Sequence, residues 1–97
     1  MREVLYYNGG ASVCLLIDEQ TKTAIARGIS ICSPSDQFVK KVGRAKARGR
    51  ALQAIAHKQS VNAIPVQQRV IAGSIEYFAS YQPEMTDFEK QLIAKFK

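Results

Sequence analysis

The chain has no tryptophan, one histidine, two cysteines and three prolines among 97 residues. Each scarcity removes a class of function. A single histidine, with no Cys/His cluster, no carboxylate pair set for acid–base work and no nucleophile-elbow glycines, argues against an enzyme. Cys14 and Cys32 sit in apolar stretches without CxxC or other metal-ligand spacing, so buried reduced thiols are expected and no metal or cofactor. The longest apolar run, Ala11 to Ile17, is broken by Ser12 and too short to span a bilayer, and no basic leader with an apolar core opens the chain. A cytoplasmic protein without membrane contact is the expectation. Asn8-Gly9-Gly10 fits neither a P-loop nor GxGxxG and reads as a turn.

What the chain does have is positive charge in one place. Fourteen Lys and Arg oppose eight Asp and Glu, for a formal net charge of +6. Residues 1–39 carry three bases and four acids, and residues 70–97 again three and four, whereas residues 40–69 hold eight bases and no acid. An anionic partner follows from that asymmetry. The length sets one domain over residues 1–97, small enough that self-association would help it bury surface.

The patterning predicts an α+β fold, a small N-terminal antiparallel β-sheet followed by a long basic helix and a short C-terminal helix. Glu3 to Tyr7, the Asn-Gly-Gly turn and Val13 to Ile17 form a hairpin, and Thr23 to Cys32 completes a meander. Alternation sets Arg27 among Ile25, Ile29 and Ile31, aimed into a pocket or a subunit interface unless Gly28 marks a bulge. Ser33-Pro34-Ser35-Asp36 reads as a helix start, and the helix runs to about His57. Its expected buried stripe is Phe38, Val42, Ala45, Gly49, Leu52 and Ala56, with Ala45 and Gly49 able to seat a helix from a second subunit. Val66, Val70 and Ile71 hint at a short helix, Ile75 to Tyr81 is extended, and Thr86-Asp87-Phe88-Glu89 is a capping box. The last helix buries Phe88, Leu92, Ile93 and Phe96.

On a helical wheel Lys41, Arg44 and Arg48 border one side of the stripe, and Lys46 and Arg50 the other. Arg44, Arg48 and Arg50 are the candidate phosphate ligands, because planar guanidinium groups make bidentate contacts. Lys40 and Lys46 read as stems shielding core edges. Tyr77 and Phe78 are candidate stacking surfaces for a base. Asp36 is a first-turn acid whose competing role is to accept a ribose hydroxyl.

The run Arg27-Gly28-Ile29-Ser30-Ile31-Cys32-Ser33-Pro34-Ser35-Asp36-Gln37-Phe38, with Gly43-Arg44-Ala45 and Gly49-Arg50-Ala51, resembles the Thoeris anti-defence phage proteins of the first-described type. The likeness covers mainly residues 23–56, with a weaker echo from Tyr81 to Lys90. It implies dimers or hexamers that capture cyclic ADP-ribose isomers, in some members also cyclic oligonucleotides, in pockets shared between subunits and without cleavage. Arg27, Asp36, Arg44 and Arg50 lie in the matched segment; Phe78 and Lys90 are assigned from chemistry alone. The rival readings are a small basic nucleic-acid-binding protein, whose affinity falls steeply with salt, and an inhibitor of an acidic host protein.

Overall fold

The computed structural model describes residues 1–8, 10–31, 39–63 and 77–95. Strand β1 (Arg2–Asn8) pairs antiparallel with β2 (Ala11–Asp18), the register closing at Asn8 opposite Ala11 across the Asn-Gly-Gly sequence. Asp18 then organises the second turn. Its Oδ1 accepts from the Gln20 amide at 2.8 Å, its carbonyl accepts from the Lys22 amide at 2.8 Å, and Lys22 takes a left-handed φ of 59°. Strand β3 (Thr23–Ile31) follows, antiparallel to β2.

The predicted α+β architecture is the observed one. Beyond the meander, helix α1 (Lys40–His57), strand β4 (Val61–Ala63), strand β5 (Tyr77–Tyr81) and helix α2 (Asp87–Ala94) complete the order, and the sheet runs β1-β2-β3-β5-β4. The extended reading of Ile75 to Tyr81 corresponds to β5, whereas β4 was not anticipated. The expected short helix around Val66 to Ile71 lies outside the described residues.

Register along β3 decides where its arginine points. Leu16 faces Ala26 and Ile17 faces Ala24, so Ile25 is the extra residue of a bulge. The irregularity therefore falls at Ile25 rather than Gly28. Ile29 and Ile31 pack on the face away from α1, and Arg27 shares that face by alternation. The side chain lies in this chain's own interior, 3% exposed.

Helix α1 covers the other face, and with a different stripe from the expected one. Gly43, Ala47, Ala51 and Ala54 are buried, against Cys14, Leu16, Ala26 and Ala79. Val42 and Leu52 are 50% and 44% exposed, and Ala45, Gly49 and Ala56 also face outward. The reason is Gly28. A methyl group there would lie 2.5 Å from the Ala51 nitrogen and 2.9 Å from the Ala47 carbonyl carbon, so the helix backbone rests directly on β3 and only alanine-sized side chains fit the contact. The helix begins at Lys40 after Val39, which makes no side-chain cap, and stops at Lys58 in the left-handed conformation, whose amide donates to the Ala54 carbonyl. The Ser33-Pro34-Ser35-Asp36 start and Phe38 of the expected stripe lie outside the described residues.

Cys14 is fully buried beneath α1 as a free thiol. Burial, then the neighbouring Glu3 carboxylate, push it up from 9.0 to about 12, with Arg48 opposing. Stability from keeping this thiol protonated is complete below pH 9 and is lost as pH rises toward about 12. In a Cys32→Ser background, Cys14 is expected to resist a thiol reagent such as dithionitrobenzoate at pH 8 until the chain is unfolded in guanidinium. Stoichiometric labelling of the native protein would contradict this burial.

Helix α2 carries the predicted capping box: Thr86 Oγ1 accepts from the Glu89 amide at 3.1 Å, and Glu89 Oε1 from the Thr86 amide at 2.9 Å. Its inner side is only partly as expected. Ile93 is buried with Val4, Leu15, Ile17 and Ala24, and Leu92 packs at the edge of that group. Phe88 is 54% exposed, held edge-on to Tyr6 with ring centroids 5.1 Å apart, and Phe96 lies outside the described residues. The place expected for an apolar side chain goes to Glu89, fully buried.

Candidate anion-binding site

The candidate residues separate into different parts of the fold. Arg27 donates from Nε to Glu89 Oε2 at 2.9 Å and from Nη2 to Glu89 Oε1 and, at 2.9 Å, to the Glu84 carbonyl. Tyr6 donates its hydroxyl to the same Glu89 Oε2 at 2.8 Å. Burial, then the Glu89 charge, push the Tyr6 hydroxyl well above its ordinary value. The whole arrangement fastens α2 to the sheet, with Nε and Nη2 of Arg27 engaged within the chain.

Arg48 points toward the β1 edge, its Nε 3.1 Å from Glu3 Oε2, and is 62% exposed. Exposed pairs of this kind contribute little to stability. Arg44 is exposed and makes no ion pair among the described residues. Tyr77 is 39% exposed at the start of β5, and alternation turns it to the side of the strand opposite Phe78. Asp36 lies outside the described residues.

Two candidates do meet. The β3–β5 ladder ends at Gly28 opposite Ala79, and beyond it the Ile29 carbonyl accepts from Arg50 Nη1 at 2.5 Å. The Arg50 guanidinium carbon stands 4.7 Å from the centre of the Phe78 ring. This is a cation–π contact in a half-buried setting, and desolvation lowers the Arg50 pKa. Among the described residues no carboxylate pairs with Arg50. A guanidinium, more weakly hydrated than an ammonium and so less costly to desolvate, is thus held partly dry, oriented by one carbonyl and one ring, with positive charge left over.

Around it the field is cationic. Helix α1 carries no acid along its length, and Lys40, Lys41, Arg44 and Lys46 are exposed on it. Lys40 Nζ lies 5.1 Å from the Tyr7 ring centre at the opposite flank. Sequence reasoning missed Glu89 as the partner of both Arg27 and Tyr6, and the Ile29 carbonyl as the anchor of Arg50. Among the described residues no three His, Cys, Asp or Glu side chains converge to hold a metal ion, and no helix is long and apolar enough to cross a membrane. No family model, curated protein or solved structure matches the chain.

Proposed function

We propose that the chain binds and sequesters, without cleaving them, cyclic nucleotide immune signals of the cyclic ADP-ribose isomer class, and cyclic oligonucleotides, as an anti-defence sponge of the phage family its sequence resembles. It would act as a self-associated dimer or hexamer in the cytoplasm of the infected bacterium. The observation that carries the reading is Arg50: a half-buried guanidinium stacked on Phe78 and left without a carboxylate among the described residues. Pyrophosphate supplies the missing negative charge, and its oxygens match the guanidinium's remaining N–H donors. The Phe78 ring supplies an apolar plane beside that charge for a base or ribose. The acid-free helix raises the local concentration of an anionic ligand and speeds its capture. Charge, stacking and shape are all that sequestration requires, so the ligand leaves as it entered.

Arg50→Ala is expected to weaken binding of a cyclic ADP-ribose isomer by about thirtyfold or more, since truncating a desolvated, hydrogen-bonded charge at an interface costs about 2–5 kcal/mol. Arg50→Lys should fall between, and Arg48→Ala, with its guanidinium on the far flank, should change affinity by less than threefold. Equal losses at Arg48 and Arg50 in calorimetric titrations would remove Arg50 from the site.

One observation favours the second reading, a nucleic-acid-binding protein: Lys40, Lys41, Arg44, Lys46 and Arg48 are all exposed along α1, which carries no acid. That reading requires affinity for any oligonucleotide to fall steeply with salt.

A further inference from the structure

The stripe Val42, Ala45, Gly49, Leu52 and Ala56 has the three- and four-residue spacing of a helix-packing seam, yet all five residues face outward. From Val42 to Ala56 it runs about 21 Å along the helix. At Gly49 nothing lies within 4 Å of the position a Cβ would take, so the seam has a notch at its middle that no part of the described chain fills. Lys41 and Arg48 border one side and Lys46 the other; Arg48 is paired with Glu3 of β1, whereas Lys41 and Lys46 make no ion pair among the described residues and the helix has no acid to offset them.

The geometry points to this outer face of α1 as a docking surface for an acidic amphipathic helix of another protein. Charge selects the occupant. A second copy laid along the same seam would bring cations against cations with no acid on either helix, whereas a partner with an apolar stripe flanked by Asp and Glu meets both the seam and its borders. The notch at Gly49 admits a large side chain or a close backbone at the centre of the contact. Arg50, turned toward Phe78, is not part of this face, and the inference does not rest on the nucleotide reading.

The test uses the full chain and two synthetic three-heptad helices sharing one Leu/Ala seam, one bordered by Glu and the other by Lys, titrated by fluorescence anisotropy. The Glu-bordered peptide is expected to bind saturably at one per chain and the Lys-bordered peptide not at all. Leu52→Lys, at an exposed position, should weaken binding at least tenfold. The double variant Lys41→Glu, Lys46→Glu should reverse the preference between the peptides, which a general loss of folding would not do. Binding of neither peptide, or of both equally, overturns the proposal. A dimer in sedimentation that Leu52→Lys converts to monomer also overturns it, because a second copy then occupies the seam.

Discussion

Glu89→Ala should lower stability by about 3–5 kcal/mol, because it leaves the Arg27 guanidinium buried without its counter-charge. For a chain of this size that is a fall in Tm of roughly 15 °C or more. The large figure does not mean that the ion pair itself is strongly stabilising. Burying both charges costs several kcal/mol each, and their attraction repays this only because Glu89 accepts from Arg27, Tyr6 and the Thr86 amide together. The combined replacement Tyr6→Phe, Arg27→Met, Glu89→Leu is therefore expected to lie within about 2 kcal/mol of the wild type, since it removes the two buried charges and the Tyr6 donor together and frees only the part-buried Thr86 amide and Glu84 carbonyl, which water can reach. Thermal unfolding of the two variants separates the cases. A triple variant as unstable as Glu89→Ala would show that the network contributes more than the mutual satisfaction of its members. Tyr6 adds an alkaline signature: its folded-state pKa is raised, so the stability it contributes is complete below the ordinary value of 10.0 and is lost as pH climbs above it.

Gly28→Ala and Gly49→Ala are expected to have opposite signs although the change is the same. At Gly28 the new methyl meets helix backbone, which cannot move aside as a flexible side chain can. Overpacking of this kind costs about 1–3 kcal/mol, and contact with backbone on α1 sets the upper end of that range. At Gly49 the methyl meets nothing within 4 Å, and alanine is favoured over glycine in a helix interior by about 1 kcal/mol. Urea unfolding of both variants measures the contrast. Equal effects would contradict the seating of α1 on β3.

The sheet was legible because its signals are local. Asn-Gly-Gly between two apolar runs marks the hairpin, and Thr86 three residues before Glu89 marks the cap of α2. The basic helix was legible in type and in its C-terminal end, but its orientation was not. Both sides of α1 carry apolar residues at helical spacing, and the larger ones, Val42 and Leu52, pointed to the wrong side. The deciding signal was Gly28 in the middle of β3, a strand glycine that marks a close backbone approach, and such an approach selects alanines at 47, 51 and 54. Arg27 and Glu89 are 62 residues apart, and the capping box already gave Glu89 a sufficient local role, which concealed its long-range one. Among the ligand candidates in the described residues, only Arg50 and Phe78 come together, through the ending of a strand ladder that no local pattern announces.

In the proposed function, Arg50 and Phe78 hold an anionic nucleotide without consuming it. Calorimetric titration of the purified chain with glycocyclic ADP-ribose isomers tests it directly, with the ligand released by heat and checked by chromatography. Saturable binding and recovery of intact ligand are expected. No binding of any cyclic nucleotide, with salt-sensitive binding of a random DNA or RNA oligomer instead, would contradict it and make α1 a nucleic-acid surface.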